Sequence, residues 1–510
     1  MDYNAAYEDL YIPRSTYDDC VNYIAEEMKL AAKDLPLKRD TRNMARPTRG
    51  AALSLRSRVL LYAASPLFNG KAPAEVIAAL VDKSGKKLLS DTYDERKWAI
   101  AAAAAKDVIE LGKYQLYVAY KSEGGSSLSD PATITPPDDE GTFHSNPWPK
   151  GWQNIDPFKS YRALFDGEVS AYGNSEIIFT RGTNQGAENI KVMVIHQLPR
   201  SQGGGYNCHG MTQKQCDAYY MNDGTNCPGM NDVYKEFDGY KGRYDSRPRA
   251  EGYVEAKELA DYPELGSLGI GVSKQYVQRE PRFYASVGYN GSTWHLLNAL
   301  NDNTHDEQKN IQVFYYRGGS NGYTNSSYWL RTGIGIKKYV HPNDISYTQK
   351  NSYDVTRIEH KADPAIRYAE ILLIYAEALN EYNGSPNAQA YDAVDKVRAR
   401  VNLPGLKKGL GQKEFREALL RERACEFGYE EVRFFDLIRW KLYNVFEKQL
   451  HGLHVYKHKD TGEYKFVPYE LTKYPRVWWT SGFEPRWCLS AFPSVEINKG
   501  YGLVQNPGWE

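Results

Sequence analysis

The fold is decided by the stretch from Arg367 to Trp440, which contains R-Y-A-E-I-L-L-I-Y-A-E-A-L-N-E-Y (367–382), A-Y-D-A-V-D-K-V-R-A-R (390–400) and F-R-E-A-L-L-R-E-R-A-C-E-F-G-Y-E-E-V-R-F-F-D-L-I-R-W (415–440). From Ile371 to Tyr382, apolar residues recur at the i, i+3, i+4, i+7, i+8 and i+11 spacing of one helical face. The segment N-G-S-P (383–386) ends this helix, because glycine adopts the left-handed cap conformation and proline suits the first turn of a new helix. The pattern predicts a helical hairpin.

A second hairpin is predicted downstream, with Phe415 and Phe427 on the apolar side of one helix and Phe434, Phe435 and Trp440 on that of the next. Paired amphipathic helices in series bury a common core, as tetratricopeptide-type repeats do. The two hairpins are about 44 residues apart rather than the usual ~34, so the match is to the architecture alone. We therefore predict a mostly α fold, a tetratricopeptide-like solenoid of helical hairpins.

Three further helices are predicted near the N-terminus, at 17–35, from a Thr48 cap to about residue 66, and at 94–113. Between about 120 and 360, short apolar runs such as I-I-F (177–179) and I-Q-V-F-Y (311–315) alternate with Gly, Ser, Pro and Asn clusters. This pattern indicates small sheets and loops. We predict hairpins at 1–119, a loop-rich insertion with short β-strands at 120–360, hairpins at 361–450, and an extension at 451–510 that packs back on the domain.

Two glutamates of the last hairpin allow a catalytic and a structural interpretation. Glu422 and Glu426 lie four residues apart on one helical face, and paired carboxylates can act as general acid and base. Four arginines alternate with these glutamates and with the other acidic residues of the hairpin. They are Arg421, Arg423, Arg433 and Arg439. Because a guanidinium partner keeps a carboxylate ionised, we favour structural ion pairs.

Further motifs recur along the chain: R-G-A-A-L-S-L-R-S-R-V-L-L-Y-A-A-S-P-L-F (49–68), T-Q-K-Q-C-D-A-Y-Y-M-N-D-G (212–224), E-P-R-F-Y-A-S-V-G-Y-N-G (280–291) and A-F-P-S-V-E-I-N-K-G-Y-G-L-V-Q-N-P-G-W (491–509). Together with the helical stretch, and in this order, they resemble the SusD/RagB family. The resemblance implies a surface lipoprotein of Bacteroides-type bacteria that binds an oligosaccharide or polysaccharide without catalysis. It also implies delivery of that ligand to a SusC-like TonB-dependent outer-membrane transporter.

Two alternatives stay open. A peptide-binding member of the same family would have a similar fold, and a glycan hydrolase could use a carboxylate pair in the insertion, since such pairs carry no short motif. The sequence contains no complete dinucleotide, P-loop, serine-hydrolase or H-E-x-x-H motif. His451, His454 and His458 have ligand-like spacing but lack a carboxylate motif, so we predict a solvated turn there.

Charge and hydropathy narrow the class of partner. The chain has 64 basic and 64 acidic residues, mixed along its length, which argues against a nucleic-acid partner. No run reaches the ~20 apolar residues of a membrane span, and M-D-Y-N-A-A-Y-E-D-L (1–10) has no signal-peptide character. The resemblance implies a cell-surface lipoprotein of the outer membrane, so we expect a lipid anchor and further N-terminal helices, with part of the ligand site, to be missing from this sequence.

The aromatic residues of the insertion form the predicted ligand site. A pyranose has one face of C–H bonds and a rim of hydroxyls, so a sugar site needs a flat exposed ring beside polar side chains. Turn-rich segments carry the candidate ligand-binding residues Trp148, Trp152, Tyr289, Asn290, Trp294, Tyr328 and Trp329. The alternative is that these rings fold back into a core.

Cysteine spacing argues against a metal site. Cys208, Cys216 and Cys227 are separated by seven and ten residues, unlike the C-x₂₋₄-C pairs of zinc sites, although His209 lies beside the first. We therefore predict no metal and no cofactor. A disulfide within this trio is an open alternative for an exported protein, and Cys425 is predicted to be a buried thiol.

Overall fold

The structure, a computed structural model of the 510-residue chain, describes residues 6, 13–121, 145–181, 189–229, 251–258, 269–297, 299–300, 307–308, 311–323, 329–350, 353–361, 363–447, 450–471 and 481–509. The helices among them are α1 (Tyr17–Asp34), α2 (Arg49–Ala64), α3 (Ala74–Ala79), α4 (Arg96–Glu110), α5 (Pro157–Arg162), α6 (Ile190–Gln197), α7 (Arg200–Gly203), α8 (Gln213–Ala218), α9 (Pro281–Ser286), α10 (Tyr368–Asn383), α11 (Ala388–Ala399), α12 (Gln412–Glu426), α13 (Arg433–Arg439), α14 (Asn444–Glu447) and α15 (Ser494–Ile497). The strands among them are β1 (Ala119–Tyr120), β2 (Ile155–Asp156), β3 (Ile177–Thr180), β4 (Val287–Gly288), β5 (Ser292–Trp294), β6 (Ala299–Leu300), β7 (Glu307–Gln308), β8 (Ile311–Val313), β9 (Gly335–Ile336), β10 (Ile345–Lys350), β11 (Tyr353–Arg357), β12 (Pro364–Arg367), β13 (His451–Lys457) and β14 (Tyr464–Glu470).

Local signals fix the ends of the long helices. Thr16 and Asp19 form a capping box at the start of α1, and the Thr48 hydroxyl accepts the Ala51 N–H at the start of α2. Gly384 ends α10 with a φ of +69°, a left-handed conformation that costs glycine little. The seven helices expected from periodicity and caps are confirmed as α1, α2, α4 and α10 to α13, with shifts of a few residues at their ends.

The helices stack in series. α2 packs against α1 and α4, α4 packs against α10, and α10 packs against α11 and α12. One apolar core joins α1, α2, α4 and α10, and alanines such as Ala64, Ala101, Ala105 and Ala378 let the axes approach closely. The mostly α, tetratricopeptide-like architecture is confirmed, while the division into four segments stays a prediction. Within the described residues, no helix combines the length and apolar character that a bilayer crossing requires.

The last hairpin departs from the expected apolar face. Phe434 and Phe435 are each 48% exposed, so the expectation that they face the core is wrong. The reason is that α13 turns a charged side inward: Asp436 and Arg439 are buried, and Arg439 pairs with Glu377 on α10. Charged side chains thus occupy the place predicted for two phenylalanines.

The loop-rich insertion builds its core from short antiparallel pairs. β3 pairs with β12, β4 with β9 and β5 with β8, and the longer hairpin β13–β14 packs beside them. Its apolar cluster includes Cys425 on α12, so the insertion rests directly on the helical frame. Cys425 is buried as predicted, and burial raises its pKa to about 12. All six cysteines are free thiols, so the disulfide alternative for Cys208, Cys216 and Cys227 is not realised.

Candidate functional site

The predicted site residues are not brought together in one place. Trp148 and Trp152 lie before β2, Tyr289, Asn290 and Trp294 lie around β5, and Trp329 lies near the hairpin β13–β14. Tyr328 lies outside the described residues. The described candidate residues therefore form three separate groups.

The group around β5 is buried. Trp294 and Asn290 are each 1% exposed and Tyr289 is 3% exposed. Tyr289 stacks on Phe283 with ring centroids 5.7 Å apart, and Asn290 Oδ1 accepts the Tyr315 N–H at 2.8 Å. Because none of these rings offers a face to solvent, the structure favours the packing interpretation, and ligand binding by them stays a prediction without geometric support.

His295, next to Trp294, makes this core sensitive to acid. Burial, assisted by Lys337 and Arg162, lowers the His295 pKa to about 3, against about 6.5 in an unfolded chain. The unfolded state therefore binds a proton first, and stability present above pH 6.5 is lost as the pH falls towards 3. Between pH 6.5 and 5 we expect a loss of about 1.5 kcal/mol from this group. Urea unfolding at both pH values should show a smaller loss of stability for His295→Phe than for the wild type. An equal loss in the two proteins would contradict the assignment.

Trp148 and Trp152 belong to a separate loop. Trp152 is 6% exposed, with Lys121 Nζ 4.9 Å from its ring centroid. Trp148 is half-buried and packs against the core formed by α10, α11 and α12. Trp152 is therefore buried, and Trp148 is partly accessible but packs against the helical core.

Of the predicted tryptophans, Trp329 has the surroundings best suited to binding a sugar. Its ring is half-buried and meets Tyr323 edge-on, with centroids 4.4 Å apart. The Arg331 guanidinium lies 5.4 Å from the Trp329 centroid, and the Arg317 guanidinium lies 4.4 Å from that of Tyr323. Two rings and two guanidinium groups thus lie together, and all four side chains are half-buried.

The hairpin β13–β14 completes this surface. Arg317 Nη1 lies 3.4 Å from His454 Nδ1, and its guanidinium is 5.8 Å from the ring centroid of Tyr456, which is 41% exposed. His454 stacks on Tyr469 with centroids 3.6 Å apart. The interpretation of the histidines as a solvated turn is wrong for His451 and His454, because both lie in β13. We call the set Arg317, Tyr323, Trp329, Arg331, His454, Tyr456 and Tyr469 the Trp329 surface.

The backbone holds the hairpin against residues 317–333. The Arg317 N–H donates to the Val455 carbonyl and the Leu453 N–H donates to the Thr332 carbonyl, both at 2.8 Å. At Gly333, where φ is +69°, a Cβ would lie 1.9 Å from the Leu453 carbonyl oxygen. Only glycine permits this approach, so the surface rests on a rigid scaffold of the kind that precise binding requires.

The Trp329 surface is cationic at neutral pH. Burial and the charge of Arg317 lower the pKa of His454, so its imidazole is neutral. Burial raises the pKa of Tyr469 to about 12, against the opposing charges of Arg317 and Arg331. The surface therefore offers ring faces, neutral hydroxyl and imidazole groups, and guanidinium donors suited to hydroxyl or carboxylate oxygens.

Comparisons with known proteins identify the family. A model of the SusD family matches residues 164–509. The chain belongs to the SusD family. Among curated proteins, SusD-like protein P2 of Formosa agariphila is 41% identical over 87 residues, a segment that spans 16% of this chain and 17% of the relative.

Solved structures support the SusD-family fold. BT4246 is similar with a TM-score of 0.70 at 23% identity, over 100% of this chain and 79% of that one. A SusD-like carbohydrate binding protein of Bacteroides fragilis, BF0978, has a TM-score of 0.50 at 18% identity, over 88% of this chain and 63% of that one. At these identities the likeness concerns the fold alone.

In this SusD-family chain, the paired glutamates belong to a buried ion network rather than to a cleft. Glu426 is fully buried and pairs with Arg282 (3.0 Å), Arg367 (2.6 Å) and Arg400, while Glu422 pairs with Arg282 (2.6 Å). The structural interpretation is thus supported. Glu422 and Glu426 take their partners from outside the hairpin, which differs from the expectation, whereas Arg423 and Arg439 pair with Asp436 within it, as expected. The network comprises Glu176, Glu280, Glu422, Glu426 and Glu430 with Arg282, Lys338, Arg367, Arg398 and Arg400.

A separate apolar cavity of about 490 Å³ lies between α1, α2, β12 and the start of α13. Its walls include Val21, Ile24 and Phe435, and the Glu370 carboxylate at its edge pairs with Arg58 at 2.6 Å. None of the six candidate ligand residues that the structure describes lines it. Charged groups of its lining pair with one another, as Glu370 does with Arg58 and Glu430 with Arg367, so the Trp329 surface is the better candidate site.

Proposed function

We propose that this SusD-family protein binds an oligosaccharide or polysaccharide on the Trp329 surface without cleaving it. The ligand would pass to a SusC-like TonB-dependent transporter in the outer membrane, where a lipid anchor would hold the protein at the cell surface. The observation that carries the proposal is the half-buried Trp329 ring beside Tyr323, Arg317 and Arg331. The similar protein BF0978, described as carbohydrate binding, is consistent with it.

The chemistry of the Trp329 surface matches a sugar ring. An aromatic face attracts the C–H face of a pyranose through dispersion and loss of water contact, while the hydroxyl rim needs hydrogen-bond partners. Arg317 and Arg331 can donate several hydrogen bonds in one plane, to hydroxyls or to the carboxylate of an acidic sugar. Both neutral and acidic glycans therefore belong in a binding panel.

Two features favour binding over hydrolysis. A glycosidase needs two carboxyl groups that flank the scissile bond and reach the substrate. Glu422 and Glu426 are fully buried and held by guanidinium groups, so a glycan has no access to them. The side chains gathered in the Trp329 surface are aromatic, cationic or imidazole groups, which suit recognition.

Replacing Trp329 with alanine should weaken glycan binding by about 1–3 kcal/mol, the size of a stacking contact on an aromatic side chain. Calorimetry against the polysaccharide that binds the wild type best would measure the loss. Tyr172→Ala is the matched control, because Tyr172 is an exposed aromatic residue that also lies beside a cation, Lys38, but in a different part of the chain. We expect its affinity to equal that of the wild type.

Three outcomes would count against this proposal. Unchanged affinity of Trp329→Ala would remove the Trp329 surface from the site. Time-dependent release of reducing ends by the pure protein would favour the hydrolase alternative. Peptides that raise the melting temperature, with no glycan doing so, would favour the peptide-binding alternative within the same family.

A further inference from the structure

We infer that His196, Cys208 and His209 form a zinc-binding site. One potential ligand atom from each residue lies within 4.8 Å of the other two. Two imidazole nitrogens and one thiolate sulfur are donors that Zn²⁺ accepts, at about 2.0–2.1 Å for nitrogen and about 2.3 Å for sulfur. The inference is independent of glycan binding by the Trp329 surface.

The backbone brings these ligands together. The chain leaves the end of α6 and returns across it, so that the N–H groups of Cys208 and His209 both donate to the His196 carbonyl, at 3.0 and 3.2 Å. Gly205 makes the return possible, since a Cβ there would lie 2.5 Å from the Ile195 carbonyl oxygen. The positions of the three side chains thus follow from main-chain contacts that persist when a side chain is replaced.

The loop is also anchored from outside. Asn207, with a φ of +50°, donates from Nδ2 to the Asn321 carbonyl at 2.7 Å, and the Ser201 N–H donates to Asn321 Oδ1 at 3.1 Å. A preorganised loop lowers the conformational cost of binding.

The ligand atoms need only small movements to bind zinc. Tetrahedral zinc ligands are separated by roughly 3.3–3.8 Å at the bond lengths above, so side-chain rotations that move ligand atoms by about 1 Å complete the site.

A second observation points to a cation. His196 Nδ1 is buried and has no hydrogen-bond partner among the described residues. A buried nitrogen in that state loses hydration without compensation, and coordination of a metal would offset the loss. All three residues are only partly buried, so an ion has access from solvent. Three protein ligands leave one position of the zinc tetrahedron for water or an added ligand.

The site is tested with the full chain, free of any histidine tag, after removal of metal with a chelator and under reducing conditions. Competition between the protein and a chromophoric chelator should show one equivalent of bound Zn²⁺, and Co²⁺ should give a thiolate-to-metal charge-transfer band. Cys208→Ser should abolish the band and weaken Zn²⁺ binding by more than about 100-fold, because loss of even an outer-sphere partner costs about 10–100-fold.

Two further variants are controls, one for loss of folding and one for zinc binding at another thiol. His209→Gln keeps the backbone N–H that bonds to His196 and should also lose Zn²⁺ affinity, while its melting temperature without metal matches the wild type. Cys20→Ser removes an exposed thiol elsewhere and should bind like the wild type. The inference is overturned by absence of stoichiometric Zn²⁺ binding, or by Cys208→Ser and His209→Gln binding the ion as the wild type does.

Discussion

Replacing Glu426 with glutamine should destabilise the protein by about 3–5 kcal/mol, the usual cost of removing one partner from a buried ion pair. Its carboxylate contacts Arg282, Arg367 and Arg400, and glutamine keeps the shape while removing the charge. Three guanidinium groups would then share one fewer counter-charge in a place with little access to water. Thermal and urea unfolding at pH 7 would measure the loss.

The contribution of the Glu426 carboxylate to stability depends on pH. Burial alone would raise the Glu426 pKa, but Arg400, Arg367 and Arg282 outweigh it and hold the pKa well below its usual range. Because the folded pKa lies below the unfolded value of about 4.3, the stabilisation is complete above that pH and is lost as the pH falls towards the folded pKa. The difference between wild type and Glu426→Gln should therefore narrow below about pH 4.3.

Glu431 supplies the control for this experiment. Its side chain is 78% exposed and lies 3.3 Å from Arg181, so Glu431→Gln should change stability by less than about 0.5 kcal/mol. Glu426 and Glu431 are five positions apart and undergo the same chemical change, which isolates burial as the variable. Similar stabilities for Glu426→Gln and Glu431→Gln would show that the buried ion pairs of Glu426 contribute no more to stability than an exposed ion pair.

The partners of Glu426 show where sequence reasoning ends. Helix periodicity and caps predicted α12 because they depend on neighbours within a few residues. The same local pattern predicts that the glutamates pair with arginines of their own hairpin. Arg421 instead donates a hydrogen bond to the Ala218 carbonyl at 2.8 Å. The arginines that surround Glu426 come from α9, from β12 and from the residue after α11, and the packing of the insertion on the helical frame brings them together.

The candidate site was predictable in part for the same reason. The polar turn residues around Trp329 predict it as a ligand residue, but Tyr456 and Tyr469 lie more than a hundred residues further along the chain. Cysteine spacing does not reveal the proposed zinc ligands, because the structure brings Cys208 next to His196 on α6. Local composition also could not separate Trp294 from Trp329, since a three-residue strand is too short to show an alternating inner face.

Replacing Trp294 with alanine should destabilise the protein by about 3–5 kcal/mol, as truncation of a fully buried tryptophan does. The side chain is 1% exposed, and its ring lies so close to Gly288 that a Cβ there would be 2.9 Å from Trp294 Cζ2. The surrounding backbone, paired between β5 and β8, cannot collapse into the space without breaking its register. Urea unfolding would measure the loss, and Trp294→Phe should retain part of the stability because it fills more of the cavity.

The comparison with Trp329 separates packing from recognition in two residues of the same type. Trp294→Ala should lose stability while its remaining folded fraction binds glycan with wild-type affinity, because the ring offers no face to a ligand. Trp329→Ala should weaken glycan binding and change the stability less, because its half-buried ring contributes less to core packing and can contact the ligand. If Trp294→Ala instead lowered affinity at unchanged melting temperature, Trp294 would have to reach the ligand, and the core around β5 would have to open for binding to occur.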